Sequence, residues 1–258
     1  METNVFETRK FTFVTPSGHN VTIREQNGAD DDILSNPALA STGMNISQFL
    51  ASIITSCDYI EGKTKITADE AQLIPSLDRY CILFNSRIFS LGETMEFTFD
   101  WGQDGGQVNY EQDLRDFIFD YSQIPTEEEL NAKPNAIPFY PNGGQATDLT
   151  FTTTSGKELK FDLLNAKGEA YIMNLPLEKQ TKNQVFVARN LQVKLGEKYE
   201  KVHNFSMFST KDMIEIRNYV LANDPVFMGN TDIENPVTNQ KQTISIVAIK
   251  DFFYPGEI

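Results

Sequence analysis

Residues 11–24 read FTFVTPSGHNVTIR, and residues 149–162 read LTFTTTSGKELKFD. In both stretches apolar and polar residues alternate on either side of a Ser-Gly pair, which is typical of two half-buried strands joined by a turn. In the first stretch Pro16, Ser17 and Gly18 supply the turn, because proline presets one backbone angle and glycine tolerates the left-handed region. Each stretch is therefore predicted to form a β-hairpin.

The two hairpins match one another at a constant separation of 138 positions. Of the seven pairs compared below, four carry identical residues. The pairs are Phe11 with Leu149, Thr12 with Thr150, Phe13 with Phe151, Ser17 with Ser155, Gly18 with Gly156, Val21 with Leu159 and Ile23 with Phe161. Any hairpin alternates, but shared residues are not expected by chance, so we favour an internal duplication. The alternative is two unrelated lobes with chance-similar hairpins.

Helical signals follow the first hairpin. Asn45 or Ser47 can cap a one-sided apolar stripe that recurs with helical spacing from Ile46 to Cys57. Thr67 and Glu70 have the spacing of a capping box, which predicts a short helix that stops at Pro75. A longer helix is predicted from Ser76 to Gly92, and the alternation of residues 94–101 predicts a half-buried strand. Cys57 and Cys81 both fall in helical stretches, where we expect small buried residues and no disulfide.

The second half repeats this order. Residues 209–212 read STKD and are expected to cap a helix through residue 223, and residues 243–249 have the pattern of a strand. The fold class predicted is α+β, with two similar lobes, each a β-hairpin plus helices and further antiparallel strands. The first lobe spans residues 1–121 and the second spans residues 149–258.

Residues 122–148 are predicted to connect the two lobes. They contain four prolines and a Gly-Gly pair, and the TEEEL run at residues 126–130 predicts one helical turn. The apolar residues Ile137, Phe139 and Tyr140 indicate that the connection lies along a surface. We therefore take these three residues as candidate interface residues.

The composition excludes several classes of function. The chain has 258 residues and a formal net charge of -14, so the protein would repel a phosphate backbone and no nucleic-acid partner is expected. The charge either serves solubility or forms an acidic face for a basic partner. No apolar run approaches the length of a membrane helix, and the first residues lack a hydrophobic signal core, so we expect a protein that stays in the cytoplasm.

The sequence offers no catalytic constellation. The two histidines, His19 and His203, have no nucleophile motif beside them, and the two cysteines are too far apart in sequence to suggest a zinc site. Asp100, Asp104, Glu111 and Asp113 do not fit the register of a calcium loop, and no glycine-rich phosphate motif occurs. We predict a non-enzymatic protein with no cofactor, no metal and no small-molecule substrate. A carboxylate-dependent hydrolase stays open as an alternative, because 36 acidic residues always offer pairs.

One stretch resembles a known family. Pro75 is followed by Asp78 and Arg79, then by Ser86-Arg87 near the helix end and by residues 91–93, which read LGE before the amphipathic strand. With the preceding hairpin, this pattern over residues 10–121 resembles the baseplate hub subunits of T-even-like contractile-tailed bacteriophages. Some relatives carry a Cys-x-x-Cys pair after that strand, whereas residues 101–106 here read WGQDGG, so no metal site is carried over.

The resemblance implies a structural or assembly protein of the contractile tail baseplate hub that acts by docking to other phage tail or baseplate proteins. It implies a location in the virion or, during assembly, in the host cytoplasm. A stand-alone module that binds a carbohydrate or protein ligand is the main alternative.

The C-terminal sequence offers a further candidate interface. Phe252, Phe253, Tyr254 and Pro255 form an apolar cluster near the end of the chain. Aromatic residues commonly anchor interfaces, so the cluster could insert into a neighbouring protein. The alternative is that it folds back onto its own domain.

Overall fold

The structure is a computed structural model that describes residues 8–141, 148–179, 181–248 and 252. Mixed helices and antiparallel sheets confirm the α+β class. The strands are β1 (Lys10–Val14), β2 (Asn20–Arg24), β3 (Ile54–Cys57), β4 (Thr94–Asp100), β5 (Gln107–Asp113), β6 (Asp148–Thr152), β7 (Glu158–Asp162), β8 (Gln192–Leu195), β9 (Lys198–Lys201), β10 (Asn230–Glu234) and β11 (Lys241–Ser245). The helices are α1 (Gly28–Leu34), α2 (Pro37–Ser41), α3 (Asn45–Ile53), α4 (Ala68–Ala71), α5 (Ser76–Leu91), α6 (Glu127–Ala132), α7 (Ala166–Met173), α8 (Gln184–Ala188) and α9 (Thr210–Asn223).

The first predicted hairpin is confirmed and forms two strands of a three-stranded sheet in the order β1-β2-β3. Phe11 pairs with Ile23 and Phe13 pairs with Val21. The turn closes because Gly18 adopts a φ of 81°, a value that side chains disfavour. Val21 and Ile23 are fully buried, so the inner face of this sheet forms part of the core.

The helix predicted from Ile46 to Cys57 ends early, and this part of the prediction was wrong. Helix α3 stops at Ile53, and Ile54–Cys57 form strand β3, which pairs with β2 through Val21 and Cys57. Ile54 and Cys57 are buried in this strand. Their apolar side chains, which at helical spacing predicted a helix, are buried in a strand instead. Pairing with a neighbouring strand outweighed the local helical spacing.

The second predicted hairpin is also confirmed, and its sheet follows the same order as the first, β6-β7-β8, with β9 added at the far edge. Leu149 pairs with Phe161, and Leu159 pairs with Val193 as Val21 pairs with Cys57. The turn glycine Gly156 has a φ of 84°. The registers of the two sheets therefore correspond at the positions that the sequence comparison matched.

Correspondence continues into the helices that follow. Asn27 caps α1 and Asn165 caps α7, with φ angles of -144° and -142°. The capped helices α4, α6 and α9 confirm three predicted helix starts. Strand β11 overlaps the predicted last strand only at residues 243–245, because it runs from Lys241 to Ser245, and its partner β10 was not predicted. The internal duplication and the division of the chain at residues 122 and 148 remain predictions.

The two halves pack against one another around α5. The amide of Ser76 donates to the carbonyl oxygen of Leu164 over 2.7 Å, and the Tyr80 and Phe227 ring centroids lie 5.1 Å apart. At the other end, the Tyr110 hydroxyl donates to the Glu234 carbonyl over 2.9 Å. Helix α5 thus contributes to the contact between the two halves.

Candidate functional site

Of the four proposed interface residues that the structure describes, three lie in the core. Ile137 is fully buried, Tyr140 is buried, and Phe252 is 1% exposed with its ring centroid 5.0 Å from that of Phe84. Burial places Phe252 where the fold-back alternative puts it, so its ring is not an exposed anchor. Phe139 is half-buried, 4.7 Å from Tyr121 between ring centroids. Phe253, Tyr254 and Pro255 lie outside the described residues.

The histidines take part in local contacts. The His19 ring contacts the Asp58 carboxylate over 2.9 Å and lies 4.4 Å from the Tyr59 ring centroid. His203 is exposed in a loop.

Within the described ranges, no group of three or more His, Cys, Asp or Glu side chains is placed to hold a metal ion. In the same part of the chain, no helix has the length and apolarity to cross a bilayer.

The site with the clearest geometry is a groove of about 560 Å³ along strand β1, which we call the β1 groove. One side is the strand itself and the other is the segment of residues 118–122, with Asn85 of α5 between them. Its lining residues are Phe11, Thr12, Phe13, Val14, Asn20, Asn85, Arg115, Ile118, Phe119, Asp120, Tyr121, Ser122 and Lys133. The lining combines apolar residues with the charged side chains of Arg115, Asp120 and Lys133.

Strand β1 presents free backbone to this groove. The Arg9 carbonyl accepts from the Glu25 amide and the Thr15 amide donates to the His19 carbonyl, so these two residue pairs are hydrogen-bonded across the hairpin. Bonded and non-bonded pairs alternate along an antiparallel ladder, which turns the N–H and C=O of Thr12 outward. Among the described residues no other strand pairs with β1 at that edge. Such an edge is a template for a further strand.

Aromatic rings form the part of the groove next to α5. Phe11 stacks on Phe13 at 5.5 Å between centroids and on Phe89 of α5 at 5.6 Å. Phe11 remains 38% exposed. The Asn85 amide donates back to the Cys81 carbonyl within α5 over 2.9 Å and so leaves the space beside Phe13 open. The groove is therefore a pre-formed opening with an aromatic lining.

The opposite wall is held by Lys133 from the connection. Its ammonium group donates to the carbonyl oxygens of Arg115 and Ile118 over 2.8 and 2.9 Å and lies 5.8 Å from the Phe119 ring centroid. Hydrogen bonds from Arg115 lower the pKa of Asp113, and burial raises the pKa of Tyr121 well above its usual range. The wall is thus tied together by contacts within the chain.

A buried carboxylate fixes the hairpin turn on α5. Asp78, in the first turn of the helix, accepts from the Ser17 amide over 2.9 Å, from the Ser17 hydroxyl and from the Tyr59 hydroxyl over 2.9 Å. Burial raises the pKa of Asp78, since no cation pairs with it among the described residues. This network ties the turn between β1 and β2 to the start of α5.

The second half uses the same link with a cation added. The Ser155 hydroxyl donates to Asp212 of α9 over 2.6 Å, and the Lys157 ammonium donates to the same carboxylate over 2.8 Å. The hydrogen bonds from Lys157 and Ser155 hold the pKa of Asp212 well below its usual range. Lys157 lies 138 positions after His19 and is therefore its counterpart in the second half. His19 contacts Asp58 and not the helix carboxylate.

Sequence reasoning did not find the β1 groove. Phe11 and Phe13 were correctly placed in a hairpin, but the wall from residues 118–122 depends on how the connection folds back. The signal available in the sequence was Asn85, a polar residue that directly follows the apolar run of residues 81–84 in α5. Its significance depends on the comparison with α9, which requires the structure.

A family model described as T4 bacteriophage base plate protein matches residues 8–254 of the chain. Neither the curated proteins nor the solved structures contain a match.

Proposed function

The chain belongs to the T4 bacteriophage base plate protein family, and we propose that it is a non-enzymatic structural or assembly component of the contractile tail baseplate hub. It acts by docking to other tail proteins, in the virion or in the host cytoplasm during assembly. The observation that carries this proposal is the family match over residues 8–254, which includes both hairpins and the connection.

The β1 groove supports docking as the mode of action. It combines an unpaired strand edge with exposed aromatic surface at Phe11, and both features favour protein partners. The net charge of -14 favours partners with basic surfaces and opposes nucleic acid.

The test is deletion of the gene from a phage that carries it, followed by sedimentation of tail intermediates from infected cells. We expect complete baseplates to be lost and to return when the wild-type gene is supplied in trans. Baseplates that form in normal number without the protein would contradict the proposal. Normal baseplates with a defect in another step of infection would contradict it equally.

A further inference from the structure

We propose that the β1 groove receives an extended segment of another baseplate protein, which pairs with β1 as an added strand and places a tyrosine ring against Phe13. The proposal deepens the docking function proposed above and rests on it. The second half of the chain shows how such a ring packs, because Tyr219 stacks there on Phe151.

Helices α5 and α9 can be aligned through two positions that play the same part in each half. Asp78 and Asp212 are each the third residue of their helix and each accept the hydroxyl of the hairpin-turn serine. Four positions later Ile82 and Ile216 are both fully buried. With a separation of 134 positions, Asn85 of α5 corresponds to Tyr219 of α9.

Tyr219 closes the equivalent space in the second half. Its ring stacks on Phe151 with centroids 4.3 Å apart, and its hydroxyl donates to the Thr150 carbonyl over 2.9 Å. Phe151 and Thr150 are the counterparts of Phe13 and Thr12. The outward carbonyl of the edge strand is therefore covered by a phenol group from the same chain.

The first half has the same surface without the ring. Asn85 donates to the Cys81 carbonyl, the Thr12 carbonyl points outward, and Phe13 is half-buried. The resulting groove of about 560 Å³ lies within the roughly 300–1,000 Å³ of pockets that bury whole ligands. It has room for a ring and for part of the chain that carries it.

An extended peptide can both hydrogen-bond to the unpaired edge of β1 and fill the β1 groove. A strand added to β1 would bond the outward N–H and C=O of Thr12, since main-chain hydrogen bonds supply affinity in strand addition. Side chains of the added strand alternate between faces, so one residue in two faces α5. A tyrosine there offers the ring that Phe13 can stack on and the hydroxyl that a carbonyl can accept.

The experiment uses two substitutions with matched controls. Asn85→Tyr fills the groove from within, while Asn85→Ala keeps it open. Thr12→Pro removes the outward N–H without breaking the backbone bonds between β1 and β2. Thr12→Val keeps that N–H and matches the loss of the side-chain hydrogen bond to Thr22. The probe is an array of overlapping synthetic peptides that covers the other baseplate proteins of the same phage. Thermal unfolding of each purified variant identifies those that fold as the wild type does.

We expect the wild-type protein, Asn85→Ala and Thr12→Val to bind a tyrosine-containing peptide. Asn85→Tyr and Thr12→Pro should weaken that binding at least tenfold, as should replacement of the peptide tyrosine by alanine. The proposal is overturned if no tyrosine-containing peptide binds, if folded Asn85→Tyr and Thr12→Pro bind as well as their controls, or if the groove instead mediates self-association that Asn85→Tyr abolishes. Should Asn85→Tyr fail to fold, the comparison of Thr12→Pro with Thr12→Val decides.

Failure of this inference is distinguishable from failure of the proposed function. A protein whose deletion prevents baseplate formation, but whose groove variants bind and assemble normally, retains the docking role and loses only the groove as its site.

Discussion

The Tyr219 ring stacks on Phe151 with centroids 4.3 Å apart, and its hydroxyl covers the carbonyl of the neighbouring edge-strand residue. At the corresponding place in the first half, Asn85 turns back to its own helix and leaves the β1 groove open. The same arrangement of hairpin and helix thus occurs once closed and once open. This contrast suggests that the first half is specialised for contact with another protein.

The hydroxyl of Tyr219 is expected to contribute to stability. Tyr219→Phe removes one hydrogen bond and should lower the free energy of unfolding by about 1 kcal/mol. Tyr219→Asn should cost more, because it also removes the ring stacked on Phe151. Urea unfolding measures both changes, and equal stability of Tyr219→Phe and the wild type would show that the hydroxyl does not hold the edge strand.

Asp212 should stabilise the protein in a pH-dependent manner. Its pKa is lowered in the folded state, so its stabilising effect is present above the usual aspartate pKa of about 3.9 and is lost as the pH falls toward the lowered value. Asp212→Asn should therefore be most destabilising near pH 7, and its effect should shrink progressively as the pH falls below about 4 toward the lowered pKa. Urea unfolding at several pH values tests this, and a deficit independent of pH would contradict it.

Asp78 should show the opposite dependence. Burial raises its pKa in the folded state, so its contribution is greatest below about pH 4 and declines as the pH rises through the raised value. The stability of Asp78→Asn relative to the wild type should therefore increase with pH. The same titration measures it, and a relative stability that falls with rising pH would mean that Asp78 is paired with a cation.

The buried pair of Arg189 and Asp224 is expected to tolerate joint but not single replacement. The guanidinium donates to the carboxylate over 2.6 Å, and both side chains are almost fully buried. Arg189→Met should cost about 3–5 kcal/mol because it leaves Asp224 charged and buried. Arg189→Met with Asp224→Leu should recover much of that loss. If the double variant is no more stable than the single one, the carboxylate's bond to the Leu164 amide dominates.

Phe252 should behave as a core residue. Its ring is 1% exposed beside Phe84, so Phe252→Ala should lower the free energy of unfolding by about 3–5 kcal/mol. Chemical denaturation tests this, with Phe11→Ala as the exposed aromatic control. A stable Phe252→Ala variant that loses partner binding would restore Phe252 to the role of an interface anchor.

Local patterns in the sequence predicted most individual elements. The alternation around Ser17 and Ser155 identified both hairpins, and the capping residues at Thr67 and Ser209 identified two helices. The pattern gave a wrong prediction at Ile54 and Cys57, which have helical spacing in the sequence but lie in a strand paired with β2. Such a choice depends on the partner strand, which lies more than 30 residues away in the chain.

The β1 groove could not be predicted from the sequence because it is formed by distant segments. Its far wall depends on Lys133 bonding to the carbonyls of Arg115 and Ile118. Its openness depends on Asn85 standing where Tyr219 stands in the second half, and that equivalence requires the positions of Asp78 and Asp212. Among the candidate interface residues chosen for their apolarity, Ile137, Tyr140 and Phe252 pack in the core, because burial favours the same apolar side chains.

The most direct test of the account is the number of complete baseplates formed per infected cell when Asn85→Tyr or Asn85→Ala replaces the wild-type chain. Both variants are first shown to unfold at the same temperature as the wild type. We predict near-normal numbers with Asn85→Ala, which leaves the β1 groove open, and at least a tenfold reduction with Asn85→Tyr, which fills it. Equal numbers with the two variants would contradict docking through this groove.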